Sequence, residues 1–243
     1  MATVFEIRGQ LGMYRKPYTT TSSASFPIPT PTALGGLIAA VIGLDNGAGQ
    51  NGCHANYWPE LSGTRIAIQR LNQPAWFSAV INFWNTKNPQ KSPHIQIKHQ
   101  FIKDPHFRIF VEGGVESKLR EMLEQGSFVY TPTLGAAYAL AQITYRGSFT
   151  FESALIPTGQ ANVPICSAVP LPEDDTKASI DYLQSKGLMK DIFPFRLDTE
   201  RAVKQTIALL YPSQPVGRIF LDVWKGLDVC QYEGDHIAWL PAW

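Results

Sequence analysis

Cysteine is scarce in these 243 residues. Cys53, Cys166 and Cys230 stand apart, at spacings that give neither a metal pair nor a disulfide framework, so they read as reduced thiols. No apolar run approaches the roughly 20 residues needed to span a bilayer. The opening MATVFEIRG lacks a basic region followed by an apolar stretch, so no secretory signal is expected and a cytoplasmic protein is. No Gly-Lys-Ser/Thr follows a predicted strand, which excludes a P-loop, and there is no GxSxG elbow. Clustered carboxylates for metal-assisted nucleotidyl transfer are also missing. Asp104, Glu112 and Glu116 are the nearest set, and they read as strand end and helix surface. His54 directly follows Cys53 in an Asn/Gly-rich loop (45–56), a poor ligand geometry. No metal, no cofactor and no internal repeat are expected.

Net charge is low as well, at +1. That sum hides an asymmetry. Residues 1–111 hold 10 Lys/Arg against 4 Asp/Glu, and the remainder holds 11 against 16. A basic half can face phosphates while an acidic half faces protein or solvent. So low an overall charge does not suit a free-standing nucleic-acid binder.

What the chain does have is concentrated at 14–43, YRKPYTTTSSASFPIPTPTALGGLIAAVIG. Thr30 is a good N-cap, Pro31 fits the first helical position, and Gly43 suits the C-cap. Leu34, Leu37, Ile38, Val41 and Ile42 recur at helical spacing between them. Gly35 and Gly36 each cost a helix about 1 kcal/mol against alanine, which suggests close approach of another backbone. The helix mouth is a natural anion site, with Tyr14, Arg15, Lys16 and Tyr18 just upstream. The plain alternative is a polar loop before a core helix.

Alternation predicts strands over Thr3–Arg8, Thr64–Arg70, Trp76–Trp84, His94–Ile102, Phe107–Glu112 and Ala139–Tyr145. Val115, Leu119, Met122 and Leu123 predict a helix stopped by Gly126. Strand, helix, strand, hairpin, strand, helix, strand is the split βαβ order, an RRM/ferredoxin-like (βαββαβ) α+β domain with one sheet face free for RNA or a second domain. The hairpin at about 76–102 has a basic tip with Lys87, Lys91, His94 and Lys98, and Trp84 is able to stack on a base or to be buried. Domains are expected at 1–147 and 148–243. The second is smaller and mostly β, with strand-like runs at 148–156, 218–223 and 237–240 and a short helix at 179–188. The run 201–211 fits either strand or helix, and Glu173, Asp174 and Asp175 form an acidic loop.

Three segments in order carry a family resemblance. They are YRKP with SFPIPTPTALGGLIAAVIG, then FIKDPHFRIFV (101–111), then YTPTLGAAYALAQITYRG (130–147). Together they resemble the CRISPR-associated "Cas-five" family, RAMP-type subunits that cap the five-prime handle of CRISPR RNA in type I Cascade, and look most like type I-B. The resemblance spans roughly the first 150 residues. It implies a non-catalytic, RNA-binding subunit for antiviral DNA targeting in a prokaryote. Its partners would be CRISPR RNA, the repeating Cascade backbone subunit, the large subunit and, through the complex, target DNA.

On that reading Arg15 and Lys16 contact phosphate, and Tyr14 or Tyr18 stacks on a base. Ser22, Ser23 and Ser25 bond to phosphate or 2′-hydroxyls, beside Thr30 and Thr32 at the helix mouth. The hairpin becomes a thumb wedged against the RNA and a partner, with Arg108, Thr131 and Gly135 as further contacts. One alternative is a metal-independent repeat-RNA endoribonuclease of the type I-C kind, using Lys98, His99 and Tyr14 or Tyr18. Adjacent residues on a strand point to opposite faces, which argues against Lys98 and His99 converging. Another alternative is a protein-only scaffold.

Overall fold

The computed structural model describes residues 1–19, 22–47, 54–87, 89–174 and 178–243. The expectations for Cys53 and Asp175 therefore lie outside the described residues. The chain opens with β1 (Ala2–Arg8), then four two-residue strands, β2 (Leu11–Gly12), β3 (Tyr14–Arg15), β4 (Ser22–Ser23) and β5 (Ser25–Phe26). Helix α1 (Pro31–Ile42) follows, with β6 (Arg65–Arg70), β7 (Ala75–Trp84), β8 (His94–Lys103), β9 (His106–Glu112), α2 (Glu116–Glu124) and β10 (Gln142–Phe149).

The four long strands of this half lie in the order β10-β1-β9-β6, every neighbour antiparallel. Phe5 and Ile7 of β1, Ile66 and Ile68 of β6, and Phe107, Ile109 and Val111 of β9 turn one way, as period 2 requires. On them pack Leu34, Leu37, Ile38 and Val41 of α1 and Leu119 and Leu123 of α2. The strands β7 and β8 pair over ten residues, from Ala75↔Lys103 to Trp84↔His94, as an arm outside this sheet. No helix among the described residues is long and apolar enough to cross a membrane.

The second half is almost all strand. After a single helical turn, α3 (Phe151–Ala154), come β11 (Val163–Ile165), β12 (Val169–Pro170), β13 (Leu188–Leu197), β14 (Val203–Pro212), β15 (Ile219–Leu221), β16 (Val229–Tyr232) and β17 (Asp235–Ala238). They form two sheets, β15-β11-β17-β16 and β12-β14-β13. The other face of the first sheet is not free. Its Ala2, Val4, Ala67 and Phe110 are buried against Phe151, Cys166, Cys230, Ile237 and Trp239. The largest core cluster also draws on both halves, since Phe193, Phe195, Leu209, Tyr211 and Trp243 join it. Burial pushes the Cys166 thiol up to about 12 and that of Cys230 up to about 11, so both stay protonated.

Several local expectations are corrected by long-range pairing. The run 148–156 is strand only to Phe149, after which α3 turns the chain. Ala139 lies in a turn, with Leu134 N–H bonded to its carbonyl at 2.7 Å, so β10 begins three residues later than its pattern implied. No helix forms in 179–188. Asp181 accepts from the amides of Leu183 and Gln184, and Ile180 bridges to Leu221. The ambiguous 201–211 run is strand because β13 pairs with it through Phe193↔Ile207. That partner strand, rich in aromatics yet interrupted by Pro194, gave no clear signal of its own.

Candidate nucleic-acid interface

Helix α1 has the ends its residues dictate. The Thr30 hydroxyl accepts from Ala33 N–H at 3.0 Å, Pro31 begins the helix, and Gly43 closes it at φ 76°. The two internal glycines differ. A methyl at Gly35 would sit 2.7 Å from the Trp58 ring, so Gly35 admits an indole rather than a backbone. Gly36 meets only the Tyr57 hydroxyl, at 3.5 Å, and borders open space.

That space is a cavity of about 640 Å³. Thr30, Thr32 and Gly36 line it at the start of α1, with Arg15 beside them on β3. Thr131, Thr133, Gly135 and Tyr138 supply another wall, and Phe83 and His99 from the inward face of the arm a third. Tyr57 and Arg201 close the remaining side. Gly135 lies where no other residue fits: φ is 90°, and a methyl there would stand 2.1 Å from the Met13 carbonyl oxygen. Met13 N–H bonds to Leu134 O at 2.9 Å, which pins this turn against β2 and β3. No carboxylate lines the cavity among the described residues, while two arginines do.

The structure thus brings Tyr14, Arg15, Thr30, Thr32, Thr131 and Gly135 together, across more than a hundred residues of chain. Not all of these, nor all of the other expected residues, are open to a ligand. Tyr14 is only 3% exposed, edge-on to Phe107 at 6.2 Å, so its ring cannot stack on a base. Burial pushes its phenol pKa upward, which also removes it as a base. Ser23 and Ser25 are buried. The Ser25 hydroxyl accepts from Tyr14 N–H and donates to Phe26 O, both at 2.9 Å, so it holds the loop rather than a ligand. Lys16 pairs with Asp191 at 3.2 Å and so ties the loop to β13. Arg108 lies on the far sheet face, bonded to Glu6 at 2.9 Å and facing Glu233 at 3.5 Å. Ser22 is half-buried and pairs with Lys98 where β4 joins β8. Tyr18 is 66% exposed and is the aromatic of this loop that remains open.

On the arm, Trp84 is 60% exposed and meets His94 edge-on at 5.3 Å. Lys87, Lys91, His94 and Lys98 are all exposed, and none lines the cavity. Lys98 and His99 do face opposite ways: Lys98 is exposed, while His99 is buried between Phe83 and Phe101, at 5.3 and 5.9 Å. Tyr57, Thr133, Tyr138 and Arg201 are lining residues that sequence reasoning missed. Tyr138 stood inside a quoted segment, but nothing local marks Arg201, which closes a hairpin 186 residues after Arg15.

The family profile described as "CRISPR-associated protein (Cas_Cas5)" matches residues 3–145. The chain belongs to this CRISPR-associated family. A search of curated proteins gives no match. Solved structures share the fold over nearly the whole chain. A CRISPR protein from Archaeoglobus fulgidus superposes with TM-score 0.57 at 12% identity, covering 98% of this chain and 99% of that one. A chain of a "CRISPR RNA-guided surveillance complex" gives 0.55 at 12%, covering 91% of each. A chain of the type III-B Cmr-beta complex, bound to cognate target RNA and AMPPnP, gives 0.52 at 10%, covering 90% and 86%. At these identities the likeness is one of fold. The match ends before β11, yet the superpositions extend into the β-rich half.

Proposed function

We propose that this chain is the non-catalytic, cytoplasmic subunit of a type I Cascade, most like type I-B, that grips the five-prime handle of CRISPR RNA. The observation carrying this reading is the cavity. The mouth of a capped helix, an arginine-bearing loop, a glycine-pinned turn and the inward face of the arm meet in one space that no carboxylate lines among the described residues. The positive end of the helix dipole and two guanidiniums favour phosphate. In this reading Arg15 contacts phosphate, Thr32 and Thr131 bond to phosphate or 2′-hydroxyl, and Tyr18 stacks on a base. Thr30, Ser25 and Gly135 shape the site without touching RNA.

The strand order 4-1-3-2 supports an RRM/ferredoxin-like first domain, 1–147, with residues 148–243 as the second. The exposed arm serves as a thumb against the RNA and the repeating backbone subunit, and the second domain meets the large subunit, which carries target DNA. A repeat-RNA endoribonuclease is the second reading, and one observation favours it: His99 lines the same cavity. Its burial and the outward Lys98 weigh against it.

The test is titration of handle RNA at several salt concentrations. Arg15→Ala should weaken binding and reduce the salt slope by about one unit. Unchanged affinity would favour a protein-only scaffold. Cleavage of repeat RNA in EDTA, lost in His99→Ala, would make the chain an enzyme.

A further inference from the structure

Arg70 ends β6 on the face where Ile66 and Ile68 enter the main core. Alternation calls for a third aliphatic side chain there, and the chain supplies a guanidinium. Arg70 is 7% exposed. Its Nη2 donates to the Pro212 carbonyl at 2.6 Å, but Nε and Nη1 are buried without a partner. The nearby Tyr211 hydroxyl gives its own proton to Asp191. Beside the guanidinium lies a narrow, partly open space of about 10 Å³, walled by Ile28, Ala168, Ser167, Tyr211 and Gln214, with no carboxylate among them. It has room for one small sphere.

A buried charge without a counter-charge is among the costliest things a core can hold. A water would accept from Nε and Nη1 but leave the charge unbalanced. We propose that Arg70 and this space bind a single monovalent anion of halide size. Arg70 comes from the first sheet, and Tyr211 and Pro212 from β14, so the ion would sit at the seam between the two halves. This site is separate from the RNA cavity and does not rest on the RNA reading.

Crystals of the full chain grown in sodium bromide should show an anomalous peak within hydrogen-bonding reach of Nε and Nη1. At fixed ionic strength the wild-type protein should melt a few degrees higher in chloride or bromide than in gluconate, which is too large to enter. Arg70→Met should abolish that difference. If Arg70→Met does not fold, Arg70→Lys should shrink it, because a single ammonium lacks the fork. A water in the space in bromide crystals would overturn the proposal. So would a peak without the melting difference, which would mark an adventitious ion only.

Discussion

A methyl group added at Gly36 would project toward the cavity, and one added at Gly35 would strike Trp58. The two neighbours should therefore respond oppositely to alanine. Gly35→Ala is expected to lose about 1 kcal/mol, since overpacking outweighs the gain in helix propensity. Gly36→Ala should be as stable as wild type or more so, yet bind handle RNA more weakly; urea melts beside RNA titrations would show the split. Glu6 makes a second residue-level case. It accepts from Arg146 at 2.8 Å, Arg108 at 2.9 Å and His106 at 2.9 Å on the far face of the sheet. Burial alone would raise its pKa from 4.5, but these partners overcome that and hold it at about 2. The stabilisation is thus complete above the unfolded value and lost as pH falls through the folded one. Glu6→Gln should cost about 2 kcal/mol at neutral pH, screened by its partly exposed arginines, and flatten the acid limb of a stability–pH curve between 4.5 and about 2.

The arm of β7 and β8 shows how an element can be two-sided without a core beneath it. Ala79, Ile81 and Phe83 are half-buried, while Val80, Asn82 and Trp84 stand in water. An outward indole on a two-stranded arm adds little to the fold. Trp84→Ala should therefore leave the melting temperature within about a degree or two of wild type. If the arm grips RNA or a partner, the same change should weaken assembly of the effector complex, read by co-elution with CRISPR RNA and the backbone subunit. The loop of β3 to β5 behaves differently. It is held by Ser25, by Lys16–Asp191 and by β4 against β8, so its polar residues were legible as a loop but not as internal struts.

The two halves are joined through side chains rather than by a linker alone. Trp243 packs on Trp58 at 5.6 Å, and Leu240 N–H and Trp243 N–H bond to the carbonyls of Ile66 and Thr64, covering the outer edge of β6. Covering that edge also protects it from pairing with another chain. Trp243→Ala should cost about 3 kcal/mol and lower both halves' stability together. Near-ultraviolet and far-ultraviolet melts that coincide would show one cooperative unit, and two separated transitions would show that the halves are independent.

Helix α1 with its caps, the long strands β1, β6, β7, β8 and β9, the basic arm and the family were readable from residue order, because caps, turns and periodicity act over a few neighbours. Register and contact were not. Whether Tyr14 stacks outward or inward, whether Lys16 is free or paired, and whether Arg70 is buried without a counter-charge depend on residues tens to hundreds of positions away. Only the packed sheets, bringing Arg15, Thr131 and Arg201 to one cavity, decide which polar residues face a ligand and which hold the fold.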